Sequence, residues 1–241
     1  MTPNQFRQAQ AALIRPLIIA LMRLLGLVSR KPLSDEQKAD LAAALADVVN
    51  PARRSASNNA WALYTELRPE DAEEINQPRL IDVPAEYFEK VLDTFLEDLE
   101  SERPEGAQSR ITQSATRMVE NAARGTTIAA STYDNAAVAW ARVLTGTESC
   151  GWCAMLASRG PVYRSRKSAG ESDEWHLGCD CLVVPVFRGQ EKDWPGYEEY
   201  IRLEQLWAES VKGARGKKAL RNFARALAEE DIKEYSPLPR A

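Results

Sequence analysis

Histidine and cysteine are scarce in this 241-residue sequence, with one histidine and four cysteines, and all five fall between positions 150 and 181. Four cysteines in a chain of this length exclude a disulfide-dense scaffold, and the ordinary shares of hydrophobic (44%) and charged (27%) residues exclude a collagen-like or wholly disordered chain. No G-x-S-x-G, H-E-x-x-H or P-loop occurs, so the common hydrolase, zinc-protease and nucleotide-binding signatures are missing. A long uninterrupted apolar run is missing too. The nearest approach, residues 13–28, carries Arg15, Pro16 and Arg23, whereas a membrane span needs about 20 apolar residues and central arginines are costly there. No small-residue cleavage site follows it at Ser29-Arg30-Lys31-Pro32. The segment reads as an amphipathic helix packed on protein, with no transmembrane span. The chain is then expected in a reducing cytoplasm, where clustered cysteines are more often metal ligands than disulfides.

Acidic residues are missing from two stretches. Residues 1–34 hold five bases (Arg7, Arg15, Arg23, Arg30, Lys31) and residues 212–228 hold six (Lys212, Arg215, Lys217, Lys218, Arg221, Arg225), neither with an acid. Against an overall charge of −4, these eleven cations leave −15 on the remainder. The mild acidity of the whole argues against a dedicated nucleic-acid binder. The bases of the second stretch are candidates for phosphate or acidic-partner contacts, or equally for a solvated helix face.

Helical signals dominate. Ser34-Asp35-Glu36-Gln37 has the form of a capping box, followed by Leu41, Leu45, Val48 and Val49 at helical spacing up to Asn50-Pro51. A second helix is expected over 52–67. Over 84–101, Phe88, Val91, Leu92, Phe95, Leu96 and Leu99 make an apolar stripe opposite Glu86, Asp93, Glu97 and Glu100. Residues 101–109 read as a linker or turn, since Pro104 and Gly106 sit among charges. Helix is expected again over 110–123, then over 133–143 after a break at Gly125-Thr126-Thr127. Residues 144–187 look different, with a short extended Val162-Tyr163 and a β-prone run at 181–187, where Pro185 favours an edge. Helices return over 197–211 and 217–230. The expected fold class is mainly α, with a small zinc-ribbon-like β hairpin in the C-terminal third.

The chemistry is concentrated in Cys150-Gly151-Trp152-Cys153, a C-x-x-C, and His176-Leu177-Gly178-Cys179-Asp180-Cys181, an H-x-x-C-x-C. A C-x-x-C sets two thiolates on one turn so that both reach a single ion, and a second pair from a distant segment completes a tetrahedron around zinc. Five candidate ligands compete for four places: Cys₃His, or Cys₄ with His176 outside the coordination sphere. Buried or redox-labile thiol pairs and a reactive cysteine are the alternatives. The only histidine cannot act as general base while ligating a metal, which weighs against a self-contained protease built on Cys153, Ser149 or Ser158 with His176.

The segments Trp140-Ala141-Arg142-Val143, Cys150 through Tyr163, His176 through Cys181 and Val184-Pro185-Val186-Phe187 together resemble the minor head proteins of tailed phages infecting actinobacteria, a branch of the phage Mu F-like (MuF) minor capsid group. The likeness is densest over 140–187 and reaches more loosely to Gly216-Lys217-Lys218-Ala219-Leu220. It implies a helical N-terminal region (1–103) and a MuF-like head-protein domain (104–241). It also implies a virion component at or near the portal vertex, assembled in the host cytoplasm with portal protein, scaffold and major capsid protein as partners, and homo-oligomerisation and contact with packaged DNA as further expectations. Relatives in that group are often labelled capsid maturation proteases, which keeps that activity as an alternative. A zinc-dependent nucleic-acid-binding factor is the other. The metal ligands carried over are Cys150, Cys153, His176, Cys179 and Cys181.

Overall fold

The protein is described here by a computed structural model covering residues 2–145, 151–164, 175 and 181–229. Four long helices come first: α1 (Pro3–Val28), α2 (Asp35–Leu67), α3 (Ala85–Glu100) and α4 (Glu105–Tyr133). Two of them start at capping boxes. Thr2 and Gln5 exchange side-chain-to-backbone bonds of 2.8 and 3.3 Å at α1, and Ser34 and Gln37 do so at 3.0 and 3.2 Å at α2, which satisfies amides the first turn would leave unpaired. The apolar stripes meet in one core formed by Leu17, Leu21 and Leu25 of α1, Leu45, Val49 and Leu63 of α2, Phe88, Leu92 and Leu99 of α3, and Ile111, Ala115 and Val119 of α4.

Two expected breaks are absent. α2 runs unbroken through Pro51, and α4 runs through Gly125-Thr126-Thr127 and starts at Glu105, which shortens the expected linker. Pro51 lies on the exposed side of α2, where water can take the carbonyl its missing N–H leaves, and the inner face of α2 continues past it with Ala56 and Ala60. Asn50 also ties this point to the α2–α3 connection, donating to Val83 O and accepting from Val83 N–H, both at 2.9 Å. In α4, Thr126 is buried and its hydroxyl meets Ser57 Oγ of α2 at 2.7 Å, so tertiary contact overrides the local break signal.

The expected helix over 133–143 is corrected to a strand. β1 (Ala137–Val143) pairs antiparallel with β2 (Leu182–Phe187), with Arg142 opposite Val183 and Trp140 opposite Pro185. The fold is thus mainly helical with one small two-stranded antiparallel sheet, its strands joined by residues 144–181. Alternation divides its faces. Ala141, Val143, Leu182, Val184 and Val186 enter the helical core, while Trp140, Val183 and Cys181 belong to a second cluster. The short helix α5 (Gly151–Ala157) packs with α6 (Tyr197–Ser210) and α7 (Gly216–Glu229) in a third. The close approach of α5 to α7 needs glycine at 151, where a Cβ would lie 2.7 Å from that of Ala224.

The end of α4 is fixed to α2 through Asp134, which is 4% exposed. Its carboxylate accepts from Tyr64 Oη (2.9 Å), Arg68 Nε (2.6 Å) and Nη2 (3.1 Å), and the Ala136 N–H (2.9 Å). Burial alone would raise the Asp134 pKa, but the bonds from Arg68, Ala136 and Tyr64 outweigh it and hold the carboxyl below its ordinary 3.8. Burial and the neighbouring Asp134 charge push the Tyr64 phenol up.

Asp134→Asn, which leaves Arg68 without its counter-ion, is expected to cost about 2–4 kcal/mol. Because the folded-state pKa is depressed, the carboxylate's contribution is present above the ordinary carboxylate range and lost as pH falls through the lower folded value. Urea midpoints from pH 7 down to pH 3 should therefore drop more steeply in the wild type than in Asp134→Asn.

Candidate functional site

The second cluster gathers Trp140, Cys153, Tyr163, Trp175, Cys181 and Val183, all buried. Its assembly follows from β1 and β2. Residues directly opposite one another share a face, and so do those two along, so Trp140 and Arg142 of β1 share a face with Val183 and with Cys181 just ahead of β2. Tyr163 adds a bridge, its carbonyl accepting from the Trp140 N–H at 2.9 Å and its ring stacking on Trp140 at 4.6 Å and 22°. The Tyr163 hydroxyl donates to Leu156 O at 2.9 Å, which holds α5 and therefore Cys153 against the sheet. Two predicted ligands from distant parts of the chain, Cys153 and Cys181, each 2% exposed, thus enter one buried cluster. Cys150, His176 and Cys179 lie outside the described residues. Among the described residues no three His, Cys, Asp or Glu side chains converge as a metal site.

Sequence reasoning missed the cations around this cluster. Trp175 carries the Arg142 guanidinium 3.7 Å from its ring centroid and that of Arg124 at 4.6 Å, and its carbonyl accepts from Arg117 Nη1 at 3.2 Å. Arg124, 6% exposed, donates through Nε to Cys181 O (3.1 Å) and through Nη1 to Asn121 Oδ1 (3.0 Å), with Glu120 at 3.5 Å. Arg142 is 2% exposed, and its Nε and Nη1 have no hydrogen-bond partner among the described residues. The available signal was a lone arginine inside the otherwise apolar Ala137–Val143. A buried guanidinium with unsatisfied donors is expensive unless an anion lies nearby. Thiolates would supply such a charge, and the two described cysteines, Cys153 and Cys181, lie in the same cluster.

A cleft of about 310 Å³ opens beside Cys181 between α1, α4 and β2, with Arg7, Gln10, Glu120 and Arg124 among its walls. Ser158, one nucleophile considered from sequence, is buried and donates to Met155 O at 2.8 Å; Ser149 lies outside the described residues. Lys212, Arg215, Lys217, Lys218, Arg221 and Arg225 are exposed on the α6–α7 turn and the outer side of α7, opposite the buried Ala219, Phe223 and Leu227. α1 is long and apolar enough to cross a membrane by length and composition (mean hydropathy 2.0). One of its faces is built into the core, while Ile18, Ile19, Met22 and Leu27 remain exposed.

The family described as VG15 protein matches residues 2–210. The Gene 15 protein of Mycobacterium phage D29 is 35% identical, over 55% of this chain and 59% of its own. The Gene 15 protein of Mycobacterium phage L5 is 36% identical, over 46% and 50%. The chain thus spans between half and three-fifths of the length of these relatives. No solved structure matches.

Removing the Trp175 ring should expose how much the buried cations rely on it. Trp175→Ala is expected to cost about 3–5 kcal/mol, combining the cavity with two lost cation–π contacts. Trp175→Phe should recover more of that loss than Trp175→Leu, measured by urea denaturation, because only the phenyl ring keeps a π face.

Proposed function

The chain belongs to the VG15 protein family, a phage protein family, and from that premise we propose that it is a minor capsid protein of a tailed phage. In this reading it is structural, sits in the head at or near the portal vertex, and is stabilised by one zinc ion. The observation that carries the zinc part is the burial of Cys153 and Cys181 in one cluster near Arg142, whose Nε and Nη1 have no partner among the described residues. The relatedness to mycobacteriophage gene products supports the phage setting.

Cys153 and Cys181 would hold the metal together with members of Cys150, His176 and Cys179. When bound, zinc supplies a cross-link that fixes two distant segments and offsets the small core available to a two-stranded sheet. The protein's own part is to bring α5 against β1 through Tyr163, which bonds to and stacks on Trp140 and donates to Leu156 O. Arg124 holds the Cys181 backbone by donating to its carbonyl, and Arg142 supplies positive charge on the same face. The outward side of α1, apolar at Ile19 and Leu27 and flanked by Arg15 and Arg23, supports contact with portal, scaffold or major capsid protein. A capsid maturation protease would need a nucleophile with access to substrate, whereas Ser158 and Cys153 are both buried.

Purified reduced protein should carry about one zinc per chain by elemental analysis; a metal-free, fully folded sample would overturn the clamp. Cys150→Ser with Cys153→Ser should lose the zinc and fail to enter heads when produced in infected cells. Arg142→Met should keep the stoichiometry but weaken zinc retention against a chelator by about 10- to 100-fold.

A further inference from the structure

A groove of about 540 Å³ runs between α5, the end of α6 and the start of α7. Trp152 and Trp207 form aromatic walls, Leu220 contributes to its apolar lining, and Arg159, Arg215 and Lys217 supply cations, while among the described residues no acidic side chain lines it. Trp152 is 37% exposed, unusual for a residue of its size and apolar character. Trp207 rests edge-on against Phe223 (centroids 5.1 Å apart, 67°), which anchors it from behind. Among the described residues none of the three cations forms an ion pair. The groove also opens onto a basic ridge. Lys217, Arg221 and Arg225 recur every fourth residue on the exposed side of α7, a span of about 12 Å at the helical rise, within a stretch that has no acid from 212 to 228.

We propose that this groove and ridge bind a single strand of nucleic acid, with phosphates along Lys217, Arg221 and Arg225 and an unstacked base against Trp152 and Trp207. Cations alone would suit any polyanion, including an acidic peptide. The aromatic walls decide for nucleic acid, since every base presents a π face and stacking on tryptophan is largely indifferent to sequence. A duplex keeps its bases stacked internally and would use the ridge without the groove. Trp152 lies between two of the proposed zinc ligands, Cys150 and Cys153, whereas Trp207 and the ridge belong to α6 and α7; the proposal does not depend on the capsid reading.

The test uses the full chain and a fluorescein-labelled oligothymidylate of roughly 20 nucleotides, followed by anisotropy and by intrinsic tryptophan fluorescence. The oligonucleotide should quench tryptophan emission. Its affinity should fall about 20- to 50-fold between roughly 50 and 200 mM salt, as three or four phosphate contacts require. Arg221→Gln with Arg225→Gln should flatten the logarithmic salt slope by about 1.4. Trp152→Ala should weaken binding roughly 5- to 150-fold, with Trp152→Phe restoring most of it and showing that the fold is kept. Unchanged affinity in Trp152→Ala, tighter binding of a duplex of the same length, stronger competition by polyglutamate, or no binding at about 10 μM protein would each overturn the proposal.

Discussion

The pairing of Ala137–Val143 with Leu182–Phe187 is the joint on which the remaining structure depends. A two-stranded sheet is marginal in water and persists only when its faces are covered. Here both are. One face closes the helical core laid down by α1 to α4, and the other forms the floor of the cysteine and tryptophan cluster. Pro185 fits this arrangement, because in a two-stranded sheet each strand is an edge and a residue without an N–H need not interrupt a ladder on its outer side. The pairing also converts distance along the chain into proximity. It sets the segment leading into β2 beside the strand that leaves α4, and Tyr163 then adds α5 to the same floor.

Two buried charges flank this joint, and they are handled in opposite ways. Asp134, at its entrance, accepts bonds from a phenol, a guanidinium and a backbone amide, so its charge is neutralised and its oxygens are satisfied. Arg142, within the strand, has an aromatic face but two donors without a partner among the described residues. A cation–π contact supplies about 2 kcal/mol when desolvated, which is smaller than the several kcal/mol that burying an ion costs. Native interiors rarely leave such a difference uncompensated. The asymmetry between the two charges is therefore the physical reason to look for an anion on the cysteine-bearing face of the sheet and not at its entrance.

Much of the helical architecture was legible in the sequence because it rests on periodicity. Phe88, Leu92 and Leu99 mark the inner side of α3, and Ser34 with Gln37 marks the start of α2. Local break signals were less reliable. Pro51 and Gly125 each carry an intrinsic penalty of a few kcal/mol or less, which the continuous inner faces of α2 and α4 outweigh. The Ala137–Val143 strand was misread as helix because alanine has high helix propensity and the burial of both faces erases the alternation that identifies a half-exposed strand. The cysteine spacing marked the segments of interest, of which Cys153 and Cys181 enter a common cluster while Cys150, His176 and Cys179 lie outside the described residues. Arg124, Arg142 and Trp175 were not, because their roles arise from the packing of α4 and β1 around a residue distant from both in sequence.

The surroundings of the two described cysteines bear on what kind of centre they can form. A reactive or exchange-active thiol needs access as well as an electropositive setting. Cys153 and Cys181 have the second without the first: guanidiniums lie in the same layer, yet each cysteine is 2% exposed and enclosed by Trp140, Tyr163 and Trp175. The cleft between α1, α4 and β2 reaches Cys181, while Cys153 is not among its described walls. Burial and aromatic enclosure therefore limit the access that a thiol of that kind requires.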